Sequence, residues 1–76
     1  IFVLLIGGFL MKNNIRINRL IKDYSQEQLA NIVGVSRQTI NALEAAKYVP
    51  STVLALKISR VLGKPIEELF ELEDKD

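Results

Sequence analysis

The segment QLANIVGVSRQTI, residues 28–40, decides how this chain folds. Its apolar residues recur at helical spacing on both sides of Gly34 and continue to Leu43: Leu29, Ile32, Val33, Ile40 and Leu43. A glycine between two helical patterns indicates a sharp corner, because glycine adopts left-handed backbone conformations without a side-chain penalty. The second run also carries polar residues, most of which both donate and accept hydrogen bonds: Arg37, Gln38, Thr39 and Asn41. We therefore predict two helices that meet at Gly34, the second with a polar outer face.

Serine residues delimit these two helices. Ser25 and Gln28, three positions apart, fit a reciprocal capping box at the start of the first helix, which runs through Val33. Ser36 caps the second helix, which we expect to run from Arg37 to about residue 45. The corner is therefore defined on both sides by local sequence.

Three further helices are predicted from apolar spacing. One covers about residues 14–22, with a buried face formed by Ile17, Leu20, Ile21 and Tyr24. After the loop KYVPS, residues 47–51, Ser51 caps a fourth helix that Gly63 ends, with a buried stripe of Leu54, Ile58, Val61 and Leu62. Pro65 suits the first position of a short fifth helix, whose apolar side is Ile66, Leu69 and Phe70. No alternating strand pattern follows Met11, so we predict an all-α, five-helix domain over residues 11–70.

The composition limits the chain to one small domain and argues against catalysis. Its 76 residues include no cysteine and no histidine, so stability has to come from packing rather than from disulfides or soft metal ions. The sequence also has no glycine-rich phosphate loop and no nucleophile with a nearby base. We therefore expect neither enzyme activity nor a cofactor or bound metal.

Charge is distributed unevenly along the chain. Residues 1–66 contain nine basic and three acidic residues, whereas residues 67–76 contain one basic and six acidic residues. A basic body with an acidic end is typical of proteins that bind a polyanion with one face. For residues 71–76 we favour the simpler interpretation of a solvated acidic tail.

The first ten residues, IFVLLIGGFL, are uncharged and precede Met11. They are too few to span a bilayer, which takes about 20 apolar residues, and they lack the basic leader and the cleavage site of a secretory signal. We interpret residues 1–10 as an apolar extension ahead of a natural start at Met11, and we expect a cytoplasmic protein. The alternative is a β-prone segment, residues 1–6, that pairs with its own copy in a dimer.

The order of these features carries a family resemblance. From about Ile17 to Phe70, the segments SQEQLANIVGVSRQTINALE, KYVPS, ALKISRVLG and IEELF resemble the Cro and phage-repressor (XRE) class of helix-turn-helix DNA-binding domains. The resemblance implies a lambda-repressor-like fold, binding of double-stranded DNA and regulation of transcription, most often as a repressor that occupies a promoter. It suggests no small-molecule ligand.

The polar face of the second helix is the expected reading surface for DNA, because the major groove admits a helix and presents distinct donors and acceptors. Arg37 can reach the two acceptors of guanine, and Gln38 and Asn41 can each pair with adenine. Thr39 can contact a thymine methyl group or a phosphate. Outside a helix-turn-helix, each of these would be an ordinary exposed polar residue.

Phosphate contacts are implied by the resemblance at the start of the helices and in the loop behind the reading helix. The residues that the resemblance implies are Gln26, Lys47, Tyr48 and Ser51. We add Ser36, at the start of the reading helix, and Arg16, whose charge favours any phosphate. The free amides at the N-terminus near Gln26 also favour an anion.

Two features of the sequence concern how this face is supported rather than how it contacts DNA. Arg19 and Glu44 occupy positions that form a partly buried structural ion pair in similar repressor domains. Ala46 stands where the family usually has glycine, so we expect strain of about 1 kcal/mol if the backbone there is left-handed.

One helix reads only a few base pairs, so a homodimer on two half-sites is expected. The candidates for the dimer interface are Leu69, Phe70 and Leu72, although core packing is the stronger alternative for the first two. Two other functions remain open: a helical module that binds proteins through its apolar C-terminal helix, and a fragment of a membrane-tethered regulator.

Overall fold

The computed structural model describes residues 11–72 and contains the five predicted helices. These are α1 (Ile15–Ile21), α2 (Gln26–Val33), α3 (Arg37–Glu44), α4 (Thr52–Leu62) and α5 (Ile66–Leu69). Two short strands flank them, β1 (Met11–Asn13) and β2 (Phe70–Leu72). The predicted helical fold is thus confirmed. The apolar extension, the alternative strand at residues 1–6 and the acidic tail from residue 73 onward lie outside the described residues.

The predicted serine caps are confirmed at three helix starts. Ser25 Oγ accepts from the Gln28 amide at 2.9 Å, and Gln28 Oε1 accepts from the Ser25 amide at 2.7 Å, which completes the capping box. Ser36 and Ser51 cap α3 and α4 through single bonds of 3.1 Å from the amide three residues on. Each such cap stabilises its helix by about 1 kcal/mol.

The corner between α2 and α3 forms at Gly34, as predicted. Gly34 has a left-handed φ of 81°, and its amide donates to the Ala30 carbonyl at 2.8 Å. The Val35 amide donates to the same carbonyl at 3.0 Å, so the end of α2 keeps its hydrogen bonds through the turn. Ala30 is buried beside the corner, where a larger side chain would separate the helices.

One apolar core joins all five helices and β2. Its buried residues are Ile15, Leu29, Ala30, Val33, Ile40, Leu43, Leu54, Ala55, Ile58, Leu62, Leu69 and Phe70. The predicted stripe of α4 is confirmed, with Val61 half-buried at its margin. One face of α3 therefore packs on the core through Ile40 and Leu43, and the opposite face is exposed to solvent.

The predicted buried face of α1 is wrong. Ile17, Leu20 and Ile21 are exposed by 59%, 48% and 70%, whereas α1 buries Ile15 and Arg19, and Tyr24 is half-buried. Positions 15 and 19 are one helical turn apart on the opposite side from positions 17 and 21. In the observed orientation Ile15 lies in the core and Arg19 meets Glu44, while the three apolar side chains stay exposed.

The two strands also correct the sequence prediction. β1 and β2 form an antiparallel ribbon in which Met11 faces Leu72, Lys12 faces Glu71 and Asn13 faces Phe70. Phe70, predicted on the fifth helix, therefore lies in a strand. Pro65 is the N-cap of α5 rather than its first residue. Asn13 Nδ2 donates to the Leu43 carbonyl at 2.7 Å, so the ribbon is tied to the C-terminal half of α3.

Candidate nucleic-acid interface

The N-terminal half of α3 presents three of the four predicted base-reading residues to solvent. Arg37, Gln38 and Asn41 are exposed, while Ile40 on the other side of the helix is fully buried. Thr39 is half-buried, and its hydroxyl lies 3.0 Å from that of Ser36. The structure therefore brings together the amides of Gln38 and Asn41 and the guanidinium of Arg37 on an exposed helical face. Thr39 instead contacts the capping residue Ser36.

Gln26, the first residue of α2, connects this face to the interior. Its Oε1 accepts from Arg37 Nη1 at 3.4 Å and from Asn41 Nδ2 at 3.5 Å. Its Nε2 donates to Glu44 Oε1 at 3.1 Å. The predicted phosphate-contacting residue thus also touches two predicted base-reading residues.

The predicted ion pair between Arg19 and Glu44 is present and almost fully buried. Arg19 Nε donates to Glu44 Oε2 at 2.6 Å and Arg19 Nη2 to Glu44 Oε1 at 3.2 Å, with side chains 8% and 4% exposed. Arg19 Nη1 donates to the Tyr24 carbonyl at 2.8 Å. This two-pronged contact, with the additional bonds to Tyr24 and Gln26, ties α1 and the start of α2 to the end of α3.

The end of α3 has the geometry of a glycine cap although alanine occupies it. Ala46 is left-handed with a φ of 59°. The Lys47 amide donates to the Ala42 carbonyl at 2.9 Å and the Ala46 amide to the Leu43 carbonyl at 3.0 Å, which is the Schellman arrangement. The chain consequently leaves the helix as it would with glycine, and Lys47 and Tyr48 follow in an exposed loop.

The remaining predicted phosphate contacts are partly engaged in the fold. Arg16 is exposed on α1. The hydroxyls of Ser36 and Ser51 accept the capping amides described above. The Ser51 O–H can still donate to an anion, whereas the Ser36 hydroxyl also shares a hydrogen bond with that of Thr39. These positions are compatible with anion binding at the N-termini of α3 and α4.

The dimer candidates need correction. Leu69 is fully buried and Phe70 is 8% exposed, so both belong to the core of the single chain. Leu72 is 64% exposed at the end of β2. Of the three candidates, only Leu72 offers an apolar side chain to a second molecule.

Two features of the supporting structure escaped the sequence prediction. Asp23 is left-handed with a φ of 62° after α1, a conformation that aspartate tolerates better than most residues. The second feature is the central position of Gln26, whose partners lie 11 to 18 residues away in sequence. An aspartate soon after a helical pattern is a weak signal for the first, and no sequence pattern indicates the second.

Neither a metal centre nor a membrane span is evident in residues 11–72. That part of the chain contains no cluster of three or more acidic, histidine or cysteine side chains suited to a metal ion. None of its helices combines the length and the apolar character needed to cross a membrane.

Comparison with known proteins places these features in context. The helix-turn-helix family profile matches residues 15–69. An uncharacterized HTH-type transcriptional regulator of Methanocaldococcus jannaschii is 47% identical over 66 residues, covering 87% of this chain and 100% of the relative. YgzD of Bacillus subtilis, with the same description, is 46% identical over 66 residues with the same coverage. The crystal structure of a candidate DNA-binding protein from Bacteroides fragilis superposes with a TM-score of 0.73 and 26% identity, covering 82% of this chain and 100% of that one.

Proposed function

Because this chain belongs to the helix-turn-helix family, we propose that it is a DNA-binding transcriptional regulator that inserts α3 into the major groove of double-stranded DNA. The observation that carries the proposal is the exposure of Arg37, Gln38 and Asn41 on one end of a helix whose other face is buried. A helix of this kind fits the groove, and these side chains match the donors and acceptors of base edges.

The three exposed side chains have distinct roles in this proposal. Arg37 donates two hydrogen bonds to the O6 and N7 atoms of guanine, and Gln38 and Asn41 pair with the N6 and N7 atoms of adenine. Thr39, half-buried beside the cap, contacts a thymine methyl group or a phosphate. Each bidentate contact discriminates against a wrong base by about 1 to 3 kcal/mol.

Phosphate contacts keep α3 in register on the duplex. We assign them to residues at the helix starts and in the loop after α3, namely Gln26, Ser36, Lys47, Tyr48 and Ser51, together with the exposed Arg16 of α1. The charged members of this set make binding salt-dependent, because each neutralised phosphate releases condensed counterions.

Repression by promoter occupancy, as a cytoplasmic homodimer, is the form of regulation that we propose. A two-fold dimer places its two reading helices one DNA turn apart, about 34 Å, and reads a palindrome. The exposed Leu72 supports an interface that includes the end of β2. Binding rather than catalysis is the proposed activity.

A protein-binding module is the second candidate, and the exposed apolar residues of α1 favour it. Ile17, Leu20 and Ile21 lie within two turns of one helix and are each about half exposed or more. Contiguous apolar surface of this kind marks contact sites for other proteins. An apolar contact would be little affected by salt, whereas DNA binding weakens steeply as salt rises.

Selection of bound duplexes from a random pool tests the proposal. The purified chain should enrich sequences with guanine or adenine at a few adjacent positions, and its affinity for them should fall with salt. Several phosphate contacts predict that the affinity falls by about 10³-fold or more between 50 and 200 mM salt. Affinity that does not change over this range would refute the proposal. Equal retention of all sequences would refute it as well.

A further inference from the structure

The Gln26 side chain bridges a buried carboxylate and the exposed reading surface. Its amide nitrogen contacts Glu44, and its amide oxygen contacts Arg37 and Asn41. Gln26 is half-buried at the start of α2, so its side chain is confined between the two sets of partners.

Glu44 determines which end of the Gln26 amide points outward. A carboxylate accepts hydrogen bonds and cannot donate them. Arg19 donates to both oxygens of Glu44 and keeps this carboxylate in place, with a side chain only 4% exposed. The Gln26 NH₂ group therefore has to face Glu44, and its oxygen has to face Arg37 and Asn41.

The outward oxygen in turn orients the two donors that approach it. Asn41 directs Nδ2 toward Gln26, which leaves its second N–H and its oxygen for a base edge. That donor and acceptor are the pair that adenine requires. Arg37 uses one N–H of its guanidinium and retains the others for the two acceptors of guanine.

We propose that Glu44, acting through Gln26, is a positioning residue for DNA sequence specificity: it fixes the amide that orients Asn41 and Arg37 toward bases. This inference rests on the proposed function and extends it, because it gives the buried ion pair a role in which bases are selected. The second N–H of Gln26 stays available to a phosphate. Gln26 can therefore contact the DNA backbone and orient Asn41 and Arg37 at the same time.

Selection from a random duplex pool with matched variants tests the inference. Gln26→Met removes both amide partners at similar length, and Gln28→Met removes a glutamine of the same helix that serves only the capping box among the contacts described. Asn41→Ala identifies the base position that Asn41 reads. Circular dichroism establishes that each variant is folded at the temperature of selection.

Gln26→Met should reduce the preference at the Asn41 position by about 3- to 5-fold, which is part of the roughly 5- to 150-fold preference that one bidentate contact provides. The double variant Gln26→Met/Asn41→Ala should show no loss there beyond that of Asn41→Ala alone. Gln28→Met should retain the wild-type preferences. A uniform loss of affinity for Gln26→Met, with every base preference unchanged, would overturn the inference and leave Gln26 a phosphate contact.

Glu44→Gln tests the origin of the orientation, since an amide at position 44 can either accept from the Gln26 NH₂ group or donate to the Gln26 oxygen. In the folded variant, preference at the Asn41 position should fall while that at the Gln38 position is retained. Unchanged preference at both positions would overturn the role of Glu44. Failure of the wild-type chain to select any sequence would instead overturn the proposed function, so the two failures are distinguishable.

Discussion

Ala46 stores backbone strain at the end of the reading helix. Its φ of 59° is a conformation in which a Cβ atom is unfavourable, by about 1 kcal/mol relative to glycine. Ala46→Gly should therefore raise the melting temperature by about 4 to 8 °C for a domain of this size. Ala45 is the natural comparison because it is right-handed with a φ of −82°.

Thermal unfolding followed by circular dichroism measures both substitutions. Ala45→Gly should lower the melting temperature, since glycine there adds only chain entropy to the unfolded state. An equal or lower melting temperature for Ala46→Gly would show that position 46 leaves the left-handed region in solution.

The buried ion pair has a large expected effect on stability. Removing one partner leaves the other charge without compensation, at a cost of about 3 to 5 kcal/mol. Arg19→Met should lower the free energy of unfolding by that amount, whereas Arg16→Met, exposed on the same helix, should change it by less than about 0.5 kcal/mol. Urea denaturation compares them at constant m-value.

The double variant Arg19→Met/Glu44→Leu should recover much of this stability, because apolar side chains of similar volume often replace a buried pair without loss. If Arg19→Met is as mild as Arg16→Met, the pair does not hold α1 in place.

At the scale of the element, α3 and the loop after it should respond differently to substitution. Gln38→Ala should relax preference at one base position, because it removes a base contact from an exposed helical face. Lys47→Ala should weaken binding to all duplexes alike and reduce the salt slope by about 1. Titrations of two duplexes that differ at one position, at three salt concentrations, separate these effects; a sequence-dependent loss for Lys47→Ala would reverse the assignment.

Local chemistry explains which elements were predictable. The capping serines and Gly34 act within three or four residues, so α2, α3 and α4 were predicted at the observed starts. The ribbon was not, because strands of three residues are too short to show alternation and each needs its partner from the far end of the domain. Apolar spacing alone predicted the wrong face of α1, because Arg19 turns inward to meet a carboxylate on another helix and Ile15 is buried on the same side.

In the candidate site, too, some features follow from local sequence and others from contacts between distant parts of the chain. The exposure of Arg37, Gln38 and Asn41 followed from helical spacing and the position of the corner. The connection of Arg37 and Asn41 through Gln26 depends on how closely the start of α2 approaches α3, which is set by packing across the core. In α3, sequence spacing indicates which side chains face outward but not which hydrogen bonds orient them.

Assembly is the largest-scale consequence of the proposed function. If two chains bind one palindrome through an interface that includes Leu72, an acidic substitution there should separate them without affecting α3. Leu72→Asp should sediment as a monomer and bind a palindromic duplex more weakly, with unchanged affinity for a single half-site. Leu56→Asp, at a comparably exposed apolar residue of α4, should sediment and bind like the wild-type chain.

Sedimentation and duplex titration together decide where the interface lies. Because the two half-sites are bound at once, loss of the dimer removes the contribution of the second reading helix while each helix keeps its own contacts. Dimeric sedimentation and wild-type binding by Leu72→Asp would place the contact elsewhere. A monomer produced by Leu56→Asp instead would move it to the exposed side of α4.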